Sequence, residues 1–446
     1  MTQVSGSHTE LPRGRGRPPV QGLWDRRREE IVTAAIEVMS SVGYEEASMA
    51  EIARVAGIGS ATIYRYVGSK RELLDDVFEA VTRQVVAALL PAQPSVDSTD
   101  LDIIDQASIV GGRLYDLIES DRALVKLLAV QASAVDKGLQ ERVLRINALI
   151  NAQISASLGR VTIGAARPRS KAERDLFARL IVGLGVPGAV VTTRGTTTPR
   201  HRRGYVRSMK SIALQGMLNP DERVTAVVLA RLSRRLADSG TARAVEASTR
   251  PVSRRSEILD AALECYAAQS YRETGASAIA ERAGVSHGTF YNYFDNRREV
   301  VDQLIARETR NLMALIEFQR PRPRTAVEFQ IGLAAIVRRL GSYAAKHRTA
   351  LEFIILEAPG VDDRALNALL ELWEQLLWLC EAYVRSGVAD GYLRADVEAD
   401  FLAEALLAVL YTSITATVVR PTASVDFDTR VATTVAFACH GLRSHG

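Results

Sequence analysis

An all-α fold is predicted for this chain, and three observations predict it. Apolar residues recur at helical spacing from about residue 24 onward, and no stretch alternates in the manner of a strand. Helix-starting signals stand at the heads of these runs: Ser48-Met49-Ala50-Glu51 and Ser69-Lys70-Arg71-Glu72 both have the form of a capping box. Finally, a two-helix stretch occurs twice. It reads Ile52-Ala53-Arg54-Val55-Ala56-Gly57-Ile58-Gly59-Ser60-Ala61-Thr62-Ile63-Tyr64-Arg65-Tyr66-Val67, and again from Ile279 to Phe294. Gly57 and Gly284, like Tyr64 and Tyr291, stand 227 residues apart (291 − 64), and no gap is needed from Arg28/Arg255 to Asp75/Asp302. A repeat of that period implies two whole units in tandem rather than a solenoid.

The spacing inside the repeat has a steric logic. Ala53 and Ala280 are small, so a second helix can cross close to the first. Gly57 and Gly284 follow four residues later and suit a left-handed turn. Ile63 and Phe290 then face back from the second helix and fill the angle. This is the pattern of a helix-turn-helix, whose second helix enters the DNA major groove.

Taken in order, residues 1–24 are polar and rich in Gly, Pro and Arg, which predicts a disordered basic arm. Arg15 and Arg17 flank Gly16 in an Arg-Gly-Arg-Pro core resembling an AT-hook, suited to a narrow minor groove; a solvated tail is the competing reading. Residues 25–72 form the first helix-turn-helix domain, led by a helix from about Trp24 to Val42. Residues 73–237 form a helical regulatory domain. Within it, glycines at 183, 185, 188 and 195 lead to an expected exposed loop over Thr196–Arg203, with helix resuming near Tyr205 and another over Asp221–Ala237. Residues 238–252 read as a linker. The second helix-turn-helix domain follows at 253–299, with Asn296 heading its fourth helix, and a second helical regulatory domain at 300–446. Helices are expected there at about 325–346, 348–357, 362–386, 396–419 and 426–443.

Composition bounds the function. Hydrophobic residues make up 47% and charged residues 24%, which are globular values. The net charge of +4 is modest, but six Arg stand against one Asp between Leu11 and Arg28, and local basic clusters matter for nucleic acid. Cys265, Cys380 and Cys439 make no metal-ligand spacing, and the six His are scattered without catalytic or metal-binding partners. No catalytic residue, metal site or cofactor is therefore expected. No apolar run is expected to reach membrane-spanning length, and the chain is expected in the cytoplasm, at the nucleoid.

Short side chains at the groove floor and hydrogen-bonding groups beside them nominate the DNA-contacting residues. In the first unit these are Ser48, Gly59, Ser60, Ala61, Thr62, Tyr64, Arg65, Tyr66 and Lys70. In the second they are Ser286, His287, Gly288, Thr289, Tyr291, Asn292, Tyr293 and Arg297. Core packing is the competing reading for the tyrosines. Aromatics in the second body, Tyr343, Phe353, Trp373, Trp378, Tyr383 and Tyr411, are candidates for a ligand pocket, with ordinary core packing again the alternative.

Both units resemble the TetR/AcrR family of bacterial regulators. Gly284-Val285-Ser286-His287-Gly288-Thr289-Phe290-Tyr291-Asn292-Tyr293-Phe294 is close to that family's signature, with Asn296-Arg297 where Ser-Lys is usual. The first unit keeps Ser69-Lys70 but departs at Gly59-Ser60-Ala61 and at Val67, and Gly275 stands where the first unit has Ser48. The resemblance covers about fifty residues per unit. It implies a ligand-controlled transcriptional regulator, usually a repressor, that binds a double-stranded operator as a homodimer and answers to a small apolar effector. Because both heads lie in one polypeptide, an intramolecular pseudo-dimer is expected, with dimerisation of whole chains as a further possibility. A non-sensing or architectural DNA-binding protein is the alternative.

Overall fold

A computed structural model describes residues 21–44, 46–89, 113, 116, 137–159, 169–187, 190, 199–219, 253–316, 322–419 and 425–443. The basic arm with Arg15 and Arg17, the expected helix at 221–237 and the linker at 238–252 lie outside the described residues. Among those described, the fold is all-α; the one β-type pairing is an isolated bridge between Leu218 and Leu393. Backbone contacts divide the chain into residues 1–80 and 81–446.

In the first unit, α1 (Gln21–Val42), α2 (Met49–Val55), α3 (Ser60–Ile63) and the start of α4 (Lys70–Leu89) make one small core. Ile31, Ala35, Met39, Ile52, Ile63, Leu73 and Val77 are fully buried in it. Ser48 caps α2 by accepting from Glu51 N–H at 3.1 Å, and Ser69 caps α4 by accepting from Glu72 N–H at 3.1 Å. Arg28 clamps α1 to α4 through a two-pronged bond to Asp76, at 2.9 and 2.7 Å.

Among the described residues, the helices that follow α4 are α5 (Lys137–Leu158), α6 (Lys171–Gly183) and α7 (Pro199–Gln215). Helix α7 corrects the part of the expected loop over Thr196–Arg203 that begins at Pro199, residues 196–198 lying outside the described residues. It starts at Pro199, where a fixed φ and a missing N–H suit a first helical position. The repeat of the small domain follows as α8 (Arg254–Ala268), α9 (Ala276–Arg282), α10 (His287–Tyr291) and α11 (Arg297–Ile316). Its body is α12 (Ala326–Lys346), α13 (Arg348–Glu352), α14 (Asp363–Ala389), α15 (Ala399–Val418) and α16 (Phe427–His440). Between α13 and α14 the helix widens to one π turn, Phe353–Glu357, and then tightens over Ala358–Gly360.

Helices from both halves of the sequence share one core. Phe177 of α6 meets Phe437 of α16 at 5.8 Å, and Tyr205 of α7 meets Phe401 of α15 at 6.1 Å, both edge to face. At the crossing of α6 and α15, a Cβ on Gly183 would lie 2.0 Å from the Thr412 hydroxyl. The ends of α7 and α16 meet reciprocally. Gly216 (φ 72°) lies against the backbone of Cys439 and His440, and Gly441 (φ 63°) lies against that of Leu214 and Gln215. Met217 N–H donates to Ala438 C=O at 2.9 Å, and Leu218 N–H to Cys439 C=O at 3.1 Å. Buried Arg394 then donates to Gly216 C=O at 3.2 Å, satisfying a carbonyl the helix end leaves open.

Contrary to expectation, α15 is long and apolar enough to cross a membrane by length and composition. Of its most apolar window, however, 78% is buried inside the protein, because it is packed on several sides by other helices.

Candidate nucleic-acid interface

The two helix-turn-helix pairs have the same geometry. Gly57 (φ 67°) and Gly284 (φ 65°) take the left-handed conformation between the helices. Ala53 and Ala280 are buried at the crossing, and Ile63 and Phe290 are both 0% exposed beneath the second helix. Three of the four side chains flanking these plugs point outward. Tyr64 is 55% exposed, Tyr291 46% and Tyr293 37%; Tyr66 is half-buried. Core packing is thus not the role of Tyr64, Tyr291 or Tyr293.

On α3 and the residues that flank it, Gly59, Ser60, Ala61 and Arg65 are exposed and Thr62 is half-buried. On α10 and its cap, Ser286, His287, Gly288 and Asn292 are exposed and Thr289 is half-buried. Ser286 accepts from Thr289 N–H at 3.0 Å and shares a hydroxyl contact with Thr289 at 2.8 Å, so this helix is capped where α3, opened by Gly59, is not. His287 meets the Tyr291 ring edge to face at 4.9 Å. The heads therefore present unlike surfaces: Ser60-Ala61 with Arg65 in one, His287-Gly288 with Asn292 in the other.

Three nominated residues have intramolecular roles, and of these only the cap at Ser48 is announced by its sequence position. Ser48 is the α2 cap. Lys70 Nζ donates to Tyr44 C=O at 2.8 Å and Ala47 C=O at 3.1 Å, above the Tyr44 ring at 4.6 Å. Burial lowers the pKa of this ammonium. Arg297 Nη1 donates to the carbonyls of Tyr271 (3.0 Å), Arg272 (3.2 Å) and Thr274 (2.7 Å), with its guanidinium 4.6 Å from the Tyr271 ring. Both cations hold the turn before the helix-turn-helix. Sequence reasoning missed Trp24, whose ring lies 4.5 Å from that of Tyr66 and half-covers it. Its position in α1, one turn ahead of Arg28, carries no local signal of that contact.

The aromatic residues nominated for a pocket do not converge. Phe353 is buried in the core of the second head, stacked on Tyr266 at 4.8 Å, because the π turn carries it toward α8. Trp378 is 67% exposed on α14. Tyr343 donates to Glu308 at 2.6 Å, accepts from Asn311 at 2.8 Å and stacks on His347 at 4.2 Å. Tyr383 stacks on Phe329 at 5.5 Å, and Trp373 and Tyr411 meet edge to face at 5.6 Å. A cavity does occur elsewhere, between α6, α12, α15 and α16, lined by residues including Leu176, Val337, Thr412 and Arg430. Its volume of about 20 Å³ is room for about one water.

Comparison with known proteins agrees with the doubled geometry. The family model described as bacterial regulatory proteins, tetR family, matches residues 31–77 and again 258–304. The chain is 29% identical over 129 residues to the HTH-type transcriptional regulator BetI of Escherichia coli; that stretch is 29% of this chain and spans 66% of the length of BetI. Among solved structures, a TetR-like transcriptional regulator from Rhodococcus sp. RHA1 is 22% identical, with 46% of this chain and 97% of that one covered at a TM-score of 0.35. The fatty acid degradation regulator FadR from Bacillus halodurans is 15% identical, with 44% and 96% covered at a TM-score of 0.33. The chain thus carries two matches to the amino-terminal module of the bacterial tetR family, at a spacing of 227 residues (258 − 31).

Proposed function

We propose that this protein is a sequence-specific DNA-binding transcriptional regulator that reads an operator with two unlike heads. The observation that carries the reading is the pair of short helices α3 and α10, seated on matching cores yet exposing different groups. Arg65 suits a guanine edge and Asn292 an adenine edge, so the two half-sites differ. Selection of bound duplexes from a random pool tests this. An asymmetric consensus is the expected result; no enrichment over random sequence, or a perfect palindrome, overturns it.

The two halves act as an intramolecular pseudo-dimer. Its support is the reciprocal seating of Gly216 and Gly441, since mutual contact between equivalent patches is the mark of a two-fold interface. Light scattering of the free chain at one polypeptide per particle is the expected outcome, and a stable dimer of chains the opposing one. The regulator works in the cytoplasm at the nucleoid, as a repressor released by a small apolar effector that favours a head arrangement unfit for the groove. A non-sensing regulator is the second reading; in its favour, Phe353 packs in the core of the second head and Tyr383 stacks on Phe329, although both are nominated for a pocket. A thermal-shift screen of small apolar compounds, followed by operator binding with any hit, separates the two.

A further inference from the structure

Lys137 opens α5, in the first half of the sequence, and its ammonium pairs with Glu357 in the second half. Glu357 ends the π turn and is 2% exposed. Its other carboxylate oxygen accepts from Tyr271 N–H at 3.1 Å. Tyr271 belongs to the turn between α8 and α9, inside the second head. Its carbonyl and ring are in turn held by Arg297, the first residue of α11, six positions beyond Tyr291. One turn before Glu357, Phe353 packs on Tyr266 of the same head.

A carboxylate this buried is costly unless charge and hydrogen bonds compensate it. Burial raises the Glu357 pKa, while the Lys137 ammonium and the Tyr271 amide pull it back down. Without the ammonium, the carboxyl takes up a proton or draws in water. Either change weakens its acceptance from Tyr271 N–H, because a neutral or rehydrated carboxyl is a poorer acceptor. The compensating cation comes from the other half of the molecule. The second head is therefore not held by its own body alone.

We infer that Lys137 is a positioning residue for the second head, acting through Glu357 on the Tyr271 turn, so that the body of the first half governs how firmly that head is seated. This rests on the proposed DNA-reading role only for its consequence, since the brace itself can be measured without DNA. Displacement of α5 in the first half reaches the start of α11, which follows α10 in the chain, through Glu357, Tyr271 and Arg297, with the Glu357 carboxylate and the Tyr271 carbonyl as acceptors.

The test is hydrogen exchange on the full chain, comparing wild type with Lys137→Ala and Lys137→Arg. In Lys137→Ala the Tyr271 amide is expected to exchange about tenfold faster, with α15 and α16 unchanged and Lys137→Arg restoring protection. Unchanged exchange at Tyr271, or an equal loss throughout the bundle, overturns the inference. In footprinting, Lys137→Ala is expected to weaken only the half-site of the second head; equal weakening of both half-sites counts against a positioning role. If wild type binds no duplex, the functional proposal fails while the exchange result still decides the brace.

Discussion

Lys70 and Arg297 stand at equivalent positions in the two heads, and each donates to backbone carbonyls of the turn ahead of the helix-turn-helix, Tyr44 and Ala47 in one, Tyr271 and Thr274 in the other. The chemistry differs while the contact is kept. The donor is an ammonium in the first head and a guanidinium in the second. The repeat thus preserves a brace where the side chain itself has changed.

Replacing either cation by Ala leaves those carbonyls short of a donor. The expected cost is about 1–3 kcal/mol in denaturant unfolding of the head concerned. The salt dependence of operator binding separates this role from a phosphate contact. Loss of a phosphate-contacting cation reduces the slope of log affinity against log salt by about one, whereas loss of a brace leaves it unchanged. An unchanged slope is expected for both Lys70→Ala and Arg297→Ala.

Phe290 and Tyr291 are neighbours with opposite tasks. Phe290 is 0% exposed, so Phe290→Ala is expected to cost about 3–5 kcal/mol and to melt the second head. Tyr291 is 46% exposed, so Tyr291→Ala is expected to change stability by less than about 0.5 kcal/mol. The same change should nevertheless lower affinity for the second head's half-site about tenfold. Thermal unfolding and gel-shift titration of the two variants measure both. Equal loss of stability would place Tyr291 in the core and remove it from the interface.

The heads were legible in the sequence because their determinants are local. A left-handed turn requires Gly57 or Gly284, a close crossing requires Ala53 or Ala280, and a cap such as Ser48 stands three residues from the amide it serves. The doubling made each sign count twice. What was not legible depends on distant partners. The charges on Lys70 and Arg297 look available to phosphate until the carbonyls of Tyr44 and Tyr271 are seen beneath them. An aromatic at helical spacing announces burial but not its neighbour, so Phe353 read as a pocket wall although the π turn sends it into the head. Pro199 read as loop because its neighbours are Thr and Arg, yet its fixed φ opens α7.

The joint between the halves predicts a graded response to alanine at three glycines of positive φ. At Gly391 (φ 80°) a Cβ would meet nothing within 4 Å, so Gly391→Ala costs only the left-handed conformation, about 1–2 kcal/mol. At Gly216 a Cβ would fall 2.2 Å from the backbone of Cys439, and at Gly441 it would fall 2.5 Å from that of Leu214. Backbone cannot swing aside as a side chain can, so these two substitutions should cost roughly 3 kcal/mol or more. Thermal unfolding is expected to rank Gly391→Ala as the mildest of the three. Limited proteolysis should release separate halves only in the other two. If all three melt alike, backbone contact at the joint is not what holds the halves together.

Glu404 on α15 supplies a pH dependence. It is 6% exposed, and its Oε2 has no hydrogen-bond partner. Burial, with Asp400 and Glu381 nearby, pushes its pKa up to about 7 from the ordinary 4.5. Arg385 lies in the same region but is paired with Asp400 at 2.9 Å and Glu381 at 3.5 Å. In the folded protein Glu404 therefore keeps a proton that the unfolded chain has already released. Stability from this group is complete below pH 4.5 and is lost as pH rises through 7, by on the order of 3 kcal/mol. Glu404→Gln carries the same shape without the titration. Wild type is expected to melt at a lower temperature at pH 8 than at pH 5, and the variant is expected to lose most of that difference. Glu404→Leu, which removes the polar group altogether, should also flatten the profile and raise the melting temperature at pH 8, provided the leucine fits between α14 and α15. If wild type and Glu404→Gln show the same pH profile, Glu404 is ionised throughout and its carboxylate has a partner such as an ordered water.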